Sequence, residues 1–172
     1  MNELAITVVG RDRPGIIADV STALSQLGLN LTDSTMTLLR GHFAMTLICV
    51  GAVEESDVLS ALSPLTVDGG LLATVNVVPP GPPAGSGGAP YTLLVHGADR
   101  LGIVAAVTGV LAEVGGNVTD LTTRLSGTLY LLSAEIDVPS GVDFDDVLSK
   151  LDEVADRLGV EVSLRSGDAD VL

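Results

Sequence analysis

Two segments of this 172-residue chain carry residue types that hold small charged molecules: Gly10-Arg11-Asp12-Arg13-Pro14-Gly15-Ile16 and Gly97-Ala98-Asp99-Arg100-Leu101-Gly102-Ile103. Each lies between an apolar run that reads as a strand and an apolar stripe that reads as a helix. A loop in that position points free backbone N–H groups outward. The helix start adds about half a positive charge, which favours a carboxylate or a phosphate. Gly15 and Gly102 let backbone approach a ligand closely, and Pro14 suits a helix start because it has no N–H to lose. Neither loop has the Lys-Ser/Thr of a phosphate-binding P-loop, so a small carboxylate is expected rather than a nucleotide. Asn30 and Asn117 open the second strand of each half and are expected to approach the Asp12-type loop. An amide donor for a carboxylate, beside an acid for an ammonium, is what an α-amino acid requires. The plainer reading has Asp12 and Asp99 capping their helices, the glycines solving a turn and the asparagines satisfying backbone groups.

Other reactive side chains offer less. His42 and His96 lack a Ser or Cys nucleophile placed to pair with them. His96, read as the last residue of a strand, stands at the mouth of the second loop or serves the strand end, and His42 sits beside a hairpin turn in solvent. Cys49 lies in an apolar run and reads as a buried, inert thiol. A single cysteine forms no internal disulfide and no Cys-x-x-Cys metal site. Asp143, Asp145 and Asp146 open a helix, where negative charge favours the macrodipole, and Glu54, Glu55 and Asp57 read the same way. No metal, cofactor or catalytic residue is expected. The enzyme rival is a small acyl-phosphate hydrolase, for which Arg11 and Arg13 give the hint.

The elements that must position these loops occur twice. Gly10, Asp12, Arg13, Gly15 and Ile16 recur 87 residues later, as do Asn30, Thr32 and Asp33 at Asn117, Thr119 and Asp120. One residue is expected to be lost at the next turn, where Gly41 aligns with Gly127. Each half reads as a strand, the loop, and a helix with apolar residues at helical spacing (Ile16, Val20, Leu24; Ile103, Val107, Leu111) ended by Gly28 or Gly115-Gly116. A hairpin, a second helix and a last strand follow. The second helix is clear in the later half, with Asp143 as N-cap and Gly159 as C-cap. In the earlier half Pro64 is expected to cut it short. The fold class is α+β: two ferredoxin-like βαββαβ units, each a four-stranded antiparallel sheet with two helices on one face. The expected boundaries are residues 1–78, a Pro/Gly-rich linker over 79–90, residues 91–166 and a tail over 167–172.

Composition narrows the function. With 8 Lys+Arg against 22 Asp+Glu the formal net charge is −14. Such a chain is repelled by nucleic-acid backbones and anionic lipids, and aromatic residues at 2 % cannot supply base-stacking platforms. No apolar run reaches the roughly 20 residues a membrane span needs. The chain reads as a cytoplasmic protein that binds neither nucleic acid nor membrane.

The loop Gly10-x-Asp12-Arg13-Pro14-Gly15-Ile16, the helix and then Gly28-x-Asn30 resemble the signature of ACT domains. The tandem arrangement is most similar to the glycine cleavage system transcriptional repressor group. The resemblance implies an amino-acid-binding regulator, with glycine or serine as the small ligand, that acts through a protein partner as a homodimer. ACT domains commonly bind their ligand between the first loop and helix of one copy and the second strand of another. By resemblance the ligand-binding positions are Arg11, Asp12, Pro14, Gly15, Ile16, Asn30 and Leu31, and in the second copy Asp99, Leu101, Gly102, Ile103, Asn117 and Val118. Amino-acid-binding members often carry Asn where this chain has Asp12 and Asp99, and His where it has Gly10 and Gly97. Leu101 replaces the proline, so the first copy is the better candidate. The alternative is a ligand-free interaction and dimerisation module.

Overall fold

The computed structural model describes residues 1–79 and 88–167. The chain divides into two compact units, Met1–Gly81 and Pro82–Leu172. The first runs β1 (Asn2–Arg11), α1 (Ile16–Gln26), β2 (Asn30–Leu39), β3 (His42–Gly51), α2 (Glu55–Thr66) and β4 (Leu71–Val77). The second repeats the order as β5 (Gly88–Ala98), α3 (Ile103–Glu113), β6 (Asn117–Ser126), β7 (Leu129–Pro139), α4 (Phe144–Leu158) and β8 (Val160–Ser166). The sheets are ordered β2-β3-β1-β4 and β6-β7-β5-β8, with every pairing antiparallel. The βαββαβ unit therefore occurs twice.

Alternation in the strands and helical spacing in between produce one apolar core per unit, aliphatic but for Phe43 in the first. Leu4, Ile6 and Val8 of β1 and Phe43, Met45, Leu47 and Cys49 of β3 turn to one face, where they meet Ile16, Val20 and Leu24 of α1 and Val58 and Leu62 of α2. Leu93, Val95, Leu132, Ala134 and Ile136 do the same against Ile103, Val107, Leu111, Val147 and Leu151. The helix ends follow from local chemistry. Leu29 N–H donates to Leu24 O and Gly28 N–H to Ser25 O, the paired bonds of a Schellman stop, with Gly28 at φ 73. Gly116 to Leu111 O and Gly115 to Ala112 O repeat it. The Asp143 carboxylate accepts from the backbone N–H of Asp145 and Asp146, and Gly159 closes α4 at φ 65.

Four local expectations are corrected. Residues 88–90, read as linker, belong to β5: Gly88 pairs with Pro139, Ala89 with Val138 and Pro90 with Asp137. Pro90 is tolerated because β8 begins its pairing only at Tyr91, so the missing N–H faces no partner strand. The rest of the expected linker from 80 on, and the tail from 168, lie outside the described residues. Pro64 does not end α2, which continues to Thr66. The ring sits in the last turn, where its missing bond is one of the final ones, and Val67 N–H still donates to Ser63 O at 3.1 Å. Val58 and Leu62 are 0 % and 1 % exposed, so the core of the first unit is closed beneath the shorter helix. No residue is lost at the hairpin: Leu39 pairs with His42 and Ser126 with Leu129. Arg40 (φ 50) and Gly41 (φ 81) make the first turn, and Gly127 (φ 63) takes the place of Arg40, not of Gly41, in the second. His96 is not a strand end either, since β5 continues through Ala98.

The sheet face away from the helices is read rung by rung from the register. In the first unit the rungs are Thr37–Ala44–Val9–Leu72, Thr35–Thr46–Thr7–Thr74 and Asp33–Ile48–Ala5–Asn76. In the second they are Arg124–Leu131–His96–Glu161, Thr122–Ser133–Leu94–Ser163 and Asp120–Glu135–Thr92–Arg165. The edge strand β2 is exposed along its whole length. No helix among the described residues is long and apolar enough to cross a membrane.

Candidate functional site

Strand β1 delivers its loop between two neighbouring turns. Arg11 N–H donates to Gly70 O at 3.0 Å and Asp12 N–H to Gly41 O at 3.1 Å, which pins the strand end between the hairpin and the start of β4. A Cβ on Gly10 would strike Gly70 O and stand 2.8 Å from the Cα of Leu71. A Cβ on Gly97 would stand 3.0 Å from Val160 Cα. Glycine at Gly10 is therefore required by the approach of the last strand and no histidine fits there, whereas at Gly97 a side chain would need Val160 to give by a few tenths of an ångström.

Gly15 then takes φ 91 and Gly102 φ 91, and each is the N-cap of its helix. No side chain caps either end, so Asp12 and Asp99 do not have the capping role of the plainer reading. The first helical bonds are Asp19 N–H to Gly15 O and Ala106 N–H to Gly102 O, both 2.9 Å. The N–H groups of Ile16, Ile17 and Ala18, and of Ile103, Val104 and Ala105, therefore have no acceptor within their helices. Ile16 and Ile103 are each 2 % exposed and anchor the core, so what they offer a ligand is backbone.

The two loops differ in what lies over them. In the first, Arg13 Nη2 reaches Asp19 Oδ2 at 2.9 Å while Nη1 donates to Pro14 O at 3.3 Å, a latch across Gly15. Both side chains are part-exposed, so such a pair is worth about 1 kcal/mol or less. In the second, Ala106 replaces Asp19 and the latch has no counterpart. An open hollow of about 540 Å³ borders Asp99, Leu101, Gly102, Val104, Ala105 and Tyr130. Leu101 is fully exposed beside it. The latch and Tyr130 were not singled out from the sequence. The available signals were an acid six residues after Arg13 and an aromatic facing the side-chain-free Gly97.

Asn30 does not approach the Asp12 loop of its own unit. It pairs with Val50, which pairs with Glu3 at the start of β1, whereas the loop leaves the other end at Arg11. The separation is roughly 25 Å along the strands. β3 also lies between β1 and β2. Asn117, paired with Asp137 opposite Pro90, stands at the same far end of the second sheet. Leu31 is half exposed and Val118 half-buried beside these asparagines. A site using both loop and asparagine therefore takes them from different copies. Arg11, the hint of an acyl-phosphate hydrolase, lies at the opposite end of the sheet from Asn30 within the unit. His96 Nε2 lies 3.2 Å from Glu161 Oε2 on the open sheet face, away from the loop. His42 is exposed at the start of β3. Cys49 is buried, and burial pushes its thiol above the ordinary 9.0. Among the described residues no His, Cys, Asp and Glu side chains group as a metal site.

A family model for the ACT domain matches residues 2–76 and again residues 92–165. The chain belongs to the ACT domain family. A protein of unknown function from Galdieria sulphuraria is 30 % identical over 96 % of this chain and 98 % of its own, with a TM-score of 0.80. A proposed glycine cleavage system transcriptional repressor is 22 % identical and superposes over 95 % of this chain and 96 % of its own, with a TM-score of 0.70, a likeness of fold. A UPF0237 protein of Streptococcus mutans is 50 % identical over 52 residues, which are 30 % of this chain and 58 % of that protein. The chain thus spans less than two thirds of the length of that curated relative. Both ACT copies carry the strand–loop–helix crossing described above.

Proposed function

We propose that this tandem ACT protein is a non-catalytic sensor of a small amino acid that acts through protein partners, in control of amino-acid metabolism such as that of glycine, or of its transcription. The observation that carries the reading is the uncapped helix start, present twice, with its N–H donors free and an acid in the preceding loop. The ligand carboxylate meets the N–H groups of Val104 and Ala105, and its ammonium meets Asp99. The open hollow favours the second copy as the stronger site, and the Arg13–Asp19 latch must open before the equivalent Asp12, Pro14 and Gly15 surface is free. Asn30 and Leu31, or Asn117 and Val118, complete the site from a second chain in a homodimer. Glycine or serine as the ligand rests on the likeness to a proposed glycine cleavage system transcriptional repressor. The ligand regulates by binding one packing of the chains better than another.

The test is a thermal-shift screen against the twenty amino acids at millimolar concentration. A ligand at about 100 times its Kd stabilises by about 2.7 kcal/mol, and about 1 kcal/mol moves the midpoint of a protein of this size by several degrees. A selective shift that Asp99→Ala and Asn117→Ala each remove, without loss of fold, is the expected result. A flat response across the panel overturns the sensor. It would favour a ligand-free interaction module, the reading that the latched first loop and the exposed β2 edge support.

A further inference from the structure

We propose that the open sheet face of the second unit is a self-association surface that receives the same face of a second copy of this chain. The observation is the diagonal placement of charge on that face. Arg124 on β6 and Glu161 on β8 end one rung, and Asp120 on β6 and Arg165 on β8 end another. The rung between them is short and nearly neutral, and it leaves a hollow of about 520 Å³ over Leu94 and Ser133. The corners therefore meet an approaching surface before the middle does. Neither Arg124 nor Arg165 has an ion pair among the described residues, in a chain of net charge −14.

Two sheets packing face to face keep their strands within about 30° of alignment. A two-fold axis along the strands then lays the β8 edge of one copy over the β6 edge of the other, rung on rung. Arg124 meets the second copy's Glu161 and Asp120 meets its Arg165, and each pairing occurs twice by symmetry. Leu131, 40 % exposed, falls on His96 rather than on a carboxylate. The three equivalent rungs of the first unit cannot do this, because they hold Asp33 as their one charge and no opposite charge at the other corners. A four-stranded face of this length buries about 500 Å² a side, at the small end for a specific interface. Charge then decides register and affinity, and the association weakens as salt rises.

The face shares no residue with the loop hollow, so the inference stands apart from the amino-acid reading. The experiment is sedimentation velocity of the full chain and of two charge reversals, Arg124→Glu and Glu161→Arg, at low ionic strength. Each variant alone sets two like-charge pairs across the axis and is expected to weaken self-association about tenfold or more. Mixed in equal amounts the two restore it, because every cross-copy pair is then opposite in sign. Circular dichroism checks that both variants fold, and Thr37→Glu on the first unit's face is expected to change nothing. Association unaffected by either reversal, a mixture that stays dissociated, or a wild-type chain with no self-association overturns the proposal.

Discussion

At the scale of single residues, the glycines before each loop have distinct causes that spacing alone does not separate. Gly15 and Gly102 hold a positive φ at a helix start, whereas Gly10 is small because Gly70 and Leu71 press against it. Gly10→His, the residue often found there in amino-acid-binding relatives, is therefore expected to destabilise the first unit by about 1–3 kcal/mol or more through overpacking, read from urea unfolding. Cys49 gives a second prediction. Its thiol titrates above 9.0 in the folded chain because burial strips water from the thiolate. The unfolded chain releases that proton first, so the contribution of Cys49 to stability is full below that value and falls as pH rises past it. Urea midpoints followed from neutral pH upward should fall less steeply for Cys49→Ala, and a thiol reagent should modify the native protein only as it opens. The Gly-x-Asp-Arg-x-Gly pattern and the buried thiol were legible in sequence. The crowding of Gly10 was not, because it depends on a strand sixty residues away.

Among the elements, apolar periodicity located the helices and the central strands, because each of these buries one stripe against one face, whereas β2 buries nothing and was placed by its turn and its partial alternation. What periodicity does not encode is lateral order. The spacing of Asn30 from Asp12 is short in sequence, yet β3 inserts between their strands, and because β1 and β2 are both antiparallel to β3 they run parallel to each other, which sends the two residues to opposite ends. Pro64 misled in a different way. A proline in a helix interior breaks it, but in the last turn little of the ladder remains to break. Pro64→Ala returns an N–H to an exposed position facing Ser60 O. It is expected to raise stability by about 1–2 kcal/mol, the helix gain offset in part by a freer unfolded chain, measured as a shift in urea midpoint.

For the whole molecule, the excess of acid sets two opposite responses to salt. Screening the repulsion within a chain of net charge −14 should raise its thermal midpoint. The same screening should loosen the corner-to-corner pairs between copies. A salt titration that follows melting by calorimetry and mass by light scattering should show stability rising while assembly falls. Duplication supplied one core plan twice, with apolar residues at equivalent positions under each pair of helices. The open faces have no core to serve, and there one unit has a rung of four threonines where the other has Thr122, Ser133, Leu94 and Ser163 flanked by charge.

Strand β2 is exposed at every residue and is bonded along one edge alone, to β3. Removing it uncovers little that the helices protect, so it can detach while β1, β3 and the core beneath them stay intact. Its amides should exchange with deuterium well ahead of those of β1, as a small local opening rather than a global one. Any chain that docks along that edge gains a strand whose shape is already set, and it slows that opening as it binds.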